Sequence, residues 1–175
     1  SAELDIRNIP NLVRLEVRTN NLEGEGGITI RSLIKTALRM RPDRIIVGEV
    51  RGEEAFDMLT AMNTGHDGSL STGHANSARD MLLRLETMVV VGSGLGEEVA
   101  KKLIHSSIEV LVHLSREHNK RKVVGIYELN KEEGKELLNP IFVRKGGKTL
   151  EKIGEIQNRE KIEIYGEKRM DHEVG

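Results

Sequence analysis

Arg41-Pro42-Asp43-Arg44-Ile45-Ile46-Val47-Gly48-Glu49-Val50-Arg51-Gly52 is the stretch on which the fold turns. Pro42 ends whatever helix comes before it, because the residue preceding a proline is pushed out of the α region. Arg44 to Glu49 is a short apolar run closed by an acid, and it reads as a buried strand. In open α/β sheets, ligands bind beyond the carboxyl ends of such strands. Glu49 stands at that end.

Working outward, helices and strands alternate. Upstream, Ile30, Leu33, Ile34, Ala37 and Leu38 recur at helical spacing. Asn20-Asn21 and Gly24 to Gly27 mark a loop, and Leu12 to Val17 alternates as a strand would. Downstream, Glu53 to Thr64 is a helix ended by Gly65. Gly68 to Thr72 is small and strand-like. Ser77 opens a third helix with Leu82, Leu85, Met88 and Val89 on one face, stopping at Gly92. Glu97 to Ser107 is a fourth. Ile108 to Leu114 and Val123 to Leu129 are strands around a basic turn at Lys120-Arg121-Lys122. Leu137 to Val143 reads as one more strand, Leu150 to Ile156 as a short helix and Glu167 to Gly175 as a frayed end. This alternation predicts an α/β fold with a mainly parallel sheet flanked by helices. After Asn130 the apolar runs shorten and Lys and Glu crowd the chain. The expected organisation is therefore a main domain over 1–130 and a small charged extension over 131–175.

Composition narrows the function. The chain has 175 residues, one domain's worth. With 27 Lys and Arg against 28 Asp and Glu, the net charge of -1 excludes a polyanion binder held by bulk charge. Aromatic residues at 2% leave too few rings to stack single-stranded bases, so no nucleic-acid partner is expected. The absence of cysteine excludes disulfides, thiolate zinc sites and thiol catalysis. No apolar stretch approaches the roughly 18 residues of a membrane span, and no signal peptide opens the chain.

Two features carry candidate chemistry. A carboxylate placed like Glu49 can polarise water or act through a metal's hydration shell, as in NTPases. A strand-end acid that only pairs with Arg51 is the alternative, and the Arg-rich flanks and Gly48 favour function. The second feature is Thr64-Gly65-His66-Asp67-Gly68-Ser69-Leu70-Ser71-Thr72-Gly73-His74-Ala75-Asn76-Ser77. His74 emerges at the end of the neighbouring strand, just before a helix start, where it can donate to a phosphate oxygen. A surface-turn histidine is the commoner reading of such a residue alone. A zinc pair with His66 lacks the cysteines or carboxylates to complete a tetrahedral set, so no metal ligands are assigned. Arg14 and Arg18, followed by Arg39, Arg41, Arg44 and Arg51, are either solvated edges or charge stabilisers of phosphoryl transfer.

Two imitations fail. Gly147-Lys148-Thr149 resembles the end of a P-loop, but G-x-x-x-x-G-K-[ST] needs a glycine where Phe142 stands. Gly92-Ser93-Gly94-Leu95-Gly96-Glu97 resembles G-x-G-x-x-G, but its last position is Glu97 and a helix precedes it. The 175 residues therefore encode no phosphate-cradling loop.

Leu38 to Gly52 resembles the Walker B region of the type II/type IV secretion ATPase superfamily, and Glu53 to His66 continues the likeness. Gly68 to Arg79, with His74-Ala75-Asn76-Ser77, is similar to that superfamily's histidine box. The likeness spans roughly Ser1 to Leu129 and is nearest the branch serving tight-adherence pili, conjugation and archaeal surface filaments. It implies a partial RecA-like P-loop ATPase core that works as a hexameric ring with Mg2+ and ATP. Such a motor drives pilus or filament assembly, or secretion across the envelope, from the cytoplasmic face of the membrane beside a membrane platform protein. By position, Glu49 is the Walker B glutamate acting on the attacking water and His74 lies near the γ-phosphate. Glu3 resembles the closing glutamate of the aspartate box, and Arg14 and Arg18 fall among the phosphate-sensing arginines. Gly48 and Arg51 are expected at the nucleotide, with Mg2+ held mainly by groups outside this chain. In the family the Walker A loop precedes the aspartate box, so the expected object is the C-terminal part of a longer ATPase, inactive by itself. A degenerate ring subunit or binding module with no nucleotide site of its own is the competing expectation.

Overall fold

The computed structural model describes residues 4–117, 119–131, 136–146 and 149–159. The chain divides into two compact units, Ser1–Ile108 and Glu109–Gly175.

The first unit is helical, with one short parallel strand pair. Its elements are α1 (Ile30–Arg39), β1 (Ile46–Val47), α2 (Glu54–Met62), β2 (Leu70–Ser71), α3 (Ala78–Ser93) and α4 (Glu97–Ser107). Thr29 caps α1 by accepting the Ser32 amide at 3.2 Å. The helix ends at Arg39, ahead of Pro42, as the proline requires. β1 and β2 pair in register, Ile46 with Leu70 and Val47 with Ser71. The α2 helix lies among the other three and buries Ala55, Met58, Leu59 and Ala61. It also buries Asp57, whose carboxylate takes the Arg31 guanidinium at 2.5 Å and has Lys35 Nζ at 3.6 Å, both from α1. A buried charge needs such partners to be tolerable. Leu82, Leu85, Met88 and Val89 of α3 close this core, the face that the helical period predicted.

Ser77 caps α3, its hydroxyl accepting the Asp80 amide at 3.0 Å. The helix does not stop at Gly92. It runs one residue further and ends on Gly94 in the left-handed conformation, φ 72°. Gly92 has a different purpose: a Cβ there would lie 2.5 Å from the Glu53 Cα, so the glycine lets α3 approach the start of α2.

The second unit is a four-stranded sheet of β3 (Val110–Glu117), β4 (Lys120–Leu129), β5 (Leu138–Lys145) and β6 (Thr149–Lys152), in that order. Every pairing in it is antiparallel. The expectation of a mainly parallel sheet is therefore corrected. Among the described residues, parallel pairing is confined to β1 and β2. Connection length is the physical reason: a parallel return needs a crossover of a dozen or more residues, and β3 and β4 are joined by two. Three further expectations change. Leu12 to Val17 forms no strand, and this stretch keeps Val13 and Val17 exposed, with one isolated bridge from Arg18 to Ile28. Lys120 to Lys122 opens β4 rather than making the turn, which falls at Asn119 with φ 63°. Thr149 to Lys152 is strand β6, not the start of a helix.

Candidate functional site

The site is made by locking the ends of β1 and β2 side by side. The Val50 amide donates to the Thr72 carbonyl at 3.0 Å, and the Thr72 hydroxyl donates to the Gly48 carbonyl at 2.6 Å. Val50, almost fully buried, anchors this junction. With the chain fixed at Gly48, Val50 and Thr72, Glu49 and His74 leave the strand ends as neighbours.

Both oxygens of the Glu49 carboxylate are engaged. Arg51 Nη2 donates to Oε2 at 2.5 Å, and His74 Nε2 lies 3.1 Å from Oε1. The Arg51 hydrogen bond is the main influence holding this carboxyl below the usual glutamate range. Partial burial opposes it, and the charges of Arg51, His74 and Arg84 add to it. Glu54, at the start of α2, accepts the backbone amides of Arg51 and Gly52 at 2.7 and 3.1 Å and so fixes the turn that presents Arg51.

His74 itself is 78% exposed and opens onto a shallow concavity shared with Ala75, Asn76, Asp80 and Arg84. Arg84 Nη1 donates to the His74 carbonyl at 2.6 Å. The arrangement is an ionised carboxylate beside an imidazole, on the rim of a basin lined by a second cation. A carboxylate so held can orient and polarise a water, and the imidazole and guanidinium can meet an anion.

The structure thus brings together Gly48, Glu49, Arg51 and His74 from the sequence-predicted set. Arg14 and Arg18 are placed otherwise. Arg14 donates to the Ile6 carbonyl and Arg18 Nε to the Gly26 carbonyl at 2.6 Å, hydrogen bonds made within the first 28 residues. Glu3, predicted as catalytic, lies outside the described residues, as do Gly147 and Lys148 of the rejected P-loop imitation. His66 turns its Nδ1 to the Ala61 carbonyl at 3.1 Å and to the Thr64 hydroxyl, closing the end of α2. Among the described residues no three His, Asp or Glu gather as a metal site. Sequence reasoning passed over Arg84 and Glu54. Arg84 could have been found from helix phase, since it lies seven residues, two turns, after the Ser77 cap.

Known proteins resemble the chain as follows. A family described as "Type II/IV secretion system protein" matches residues 1–166. A putative conjugal transfer protein of Mycobacterium tuberculosis is 43% identical over 77% of this chain and 38% of its own length. The type IV secretion system protein VirB11 of Brucella suis is 34% identical over 64% of this chain and 32% of its own. Among solved structures, the Brucella suis VirB11 ATPase in complex with sulphate superposes with a TM-score of 0.54 at 32% identity, covering 58% of this chain and 32% of that one. The chain thus spans about a third of the length of these relatives.

Proposed function

The chain belongs to the type II/IV secretion system protein family, and from that premise we propose that it is part of an ATP-hydrolysing motor driving secretion or the assembly of a pilus or surface filament. The observation that carries this reading is the Glu49–His74 pair at the joined ends of two parallel strands, 3.1 Å apart. Glu49 orients the attacking water and takes its proton. His74 donates a hydrogen bond to the phosphoryl oxygens on which charge develops in the transition state. Arg51 keeps the carboxylate ionised between turnovers, and Gly48 supplies the backbone that lets Thr72 tie the two strands.

The donor set fits a phosphate chain. His74, Asn76 and Arg84 line a basin that opens to solvent along the first turns of the 16-residue helix α3, with the Asp80 carboxylate also in its lining. It fits magnesium only as a companion of the nucleotide. Glu49 approaches His74 at 3.1 Å and Asp80 lines the same basin, and Mg2+ commonly uses one or two carboxylates with phosphate oxygens and waters. When bound there, the ion would neutralise charge on the transferred phosphoryl group. Glu3, Arg14 and Arg18 complete the proposal as groups that act once a nucleotide and a neighbouring subunit are in place. The working assembly is a hexameric ring of like subunits docked on a membrane platform protein at the cytoplasmic face, with no nucleic-acid partner. No helix among the described residues is long and apolar enough to cross a membrane.

The test is Glu49→Gln in the full-length natural protein. The substitution keeps size and hydrogen bonding and removes the base. Steady-state ATP turnover is expected to fall about 10²- to 10⁴-fold, the usual worth of a general base, while nucleotide affinity by calorimetry stays within a few-fold. Unchanged turnover would refute the reading.

A further inference from the structure

Gly73 packs against the Met81 side chain, but few hydrogen bonds hold the turn that carries His74. Thr72 is tied to Gly48 and Val50, and Ser77 caps α3. Between them, among the described residues, the hydrogen bond from Arg84 to the His74 carbonyl is the one such bond made by residues 73–76. Without that bond, an imidazole 78% exposed would be free to sample many orientations. Its Nε2 nevertheless stands within hydrogen-bond reach of Glu49.

Helix geometry explains how one residue can supply the tether. Helical side chains lean toward the N-terminus, so a long one reaches back over the preceding turns. Arg84 is on the same face as Asp80 and Ser77, about 10 Å along the axis from the cap at 1.5 Å per residue. Extended arginine spans much of that distance. Its planar fork is ordered with less loss per bond than a lysine's flexible stem. Helix α3 is a firm base, since its Leu82, Leu85 and Val89 are buried.

We propose that Arg84 is a positioning residue of the Glu49–His74 site: by gripping the His74 carbonyl it fixes the turn so that the imidazole meets the Glu49 carboxylate. The assignment deepens the ATPase reading, and its geometry stands without nucleotide. The role assigned here acts on the backbone of His74 and is separate from any contact that the Arg84 guanidinium makes with an anion in the basin. The groups facing the Glu49 carboxylate are then Arg51 from its own turn and His74 from the turn before α3, with Arg84 behind His74.

The experiment is a double-mutant comparison on this 175-residue chain without nucleotide, so it stands apart from whether the protein hydrolyses ATP. Carbon-13 NMR follows the Glu49 side-chain carboxyl through its titration. In the wild-type chain, His74→Ala removes a favourable partner and is expected to lower the Glu49 acid constant about two- to fivefold, the scale of an exposed pair. In an Arg84→Gln background the same His74→Ala change is expected to lower it by less than about 1.5-fold, because the imidazole no longer holds its place. Arg84→Lys, which keeps the charge and one donor, is expected to restore at least half of the effect on a logarithmic scale. An equal His74→Ala effect with and without Arg84 overturns the assignment, as does no effect in the wild-type chain. Loss of amide dispersion throughout Arg84→Gln would also overturn it, by showing that Arg84 supports the fold and not the turn.

Discussion

His74 Nε2 lies 3.1 Å from Glu49 Oε1, although the two residues are 25 apart in the chain and neither sits inside a strand. Their meeting is produced by backbone: two hydrogen bonds between Gly48, Val50 and Thr72 put the strand ends in register, and each residue emerges one or two positions beyond. In the full-length protein, His74→Ala is expected to lower turnover about 10²- to 10³-fold, as loss of a preorganised donor does elsewhere. His74→Gln, which keeps an N–H donor, is expected to retain more activity than His74→Ala. Wild-type turnover in His74→Ala would make this residue a turn histidine and nothing more.

Arg51 holds the other oxygen of the same carboxylate. Its hydrogen bond is the largest influence depressing the Glu49 carboxyl, so Arg51→Ala is expected to move that titration up, toward the ordinary glutamate range. The sign follows from the depressed value. The pair contributes to folding above the unfolded pKa near 4.3 and fades as pH falls through the lower folded one. Carboxyl NMR of the 175-residue chain reads this directly. A Glu49 midpoint that does not rise in Arg51→Ala would contradict it.

Much of the site was legible in the sequence because short-range rules govern its parts. An apolar run closed by an acid gives a strand with a carboxylate at its tip, and a serine ahead of a periodic helix gives a cap just past His74. Arg84 was missed for the opposite reason. Its partner is a backbone carbonyl ten residues away, and no pattern of residue types marks a carbonyl. Sheet direction was misread because strand-like runs look alike in sequence, while the two-residue link between β3 and β4 decides the pairing. Leu12 to Val17 shows the weakness of alternation as a signal: without a partner strand to pair with, it stays exposed.

Position in the first unit's core sets the next expectation. Leu59 is fully buried in α2, and its carbonyl accepts the Ser107 hydroxyl of α4 at 2.9 Å. Leu59→Ala removes apolar contact and leaves a cavity between helices, which costs about 2–5 kcal/mol. Leu83→Ala, on the exposed face of α3, is expected to stay within about 0.5 kcal/mol. Urea unfolding followed by circular dichroism compares them, and equal midpoints for the two variants would show that α2 is not at the core's centre.

The last prediction concerns Glu128, a buried acid in β4 that takes no part in the proposed chemistry. Burial pushes its carboxyl up, but the backbone amides of Gln157 and Asn158, the Asn139 amide and the charge of Lys131 outweigh that and hold it below the ordinary range. The contacts are 2.8 Å from each backbone amide and 3.2 Å from Asn139, so one carboxylate ties residues 157–158 back onto the sheet. Because the folded pKa is the lower one, the tie is at full strength above the unfolded value near 4.3 and is lost as pH falls through the folded value. Amide hydrogen exchange of Gln157 and Asn158 is therefore expected to be slow at neutral pH, relative to each amide's intrinsic rate, and to lose protection on acidification below about 4. Glu128→Gln keeps the shape but loses the charge and one acceptor. It is expected to reduce the protection at neutral pH and to flatten its dependence on acid, with the amides of β3 unaffected. If Glu128→Gln keeps wild-type protection across the whole range, the carboxylate does not hold this segment, and the packing of Ile153 and Gly154 against Ile141, whose carbonyl accepts both of their amides, is sufficient.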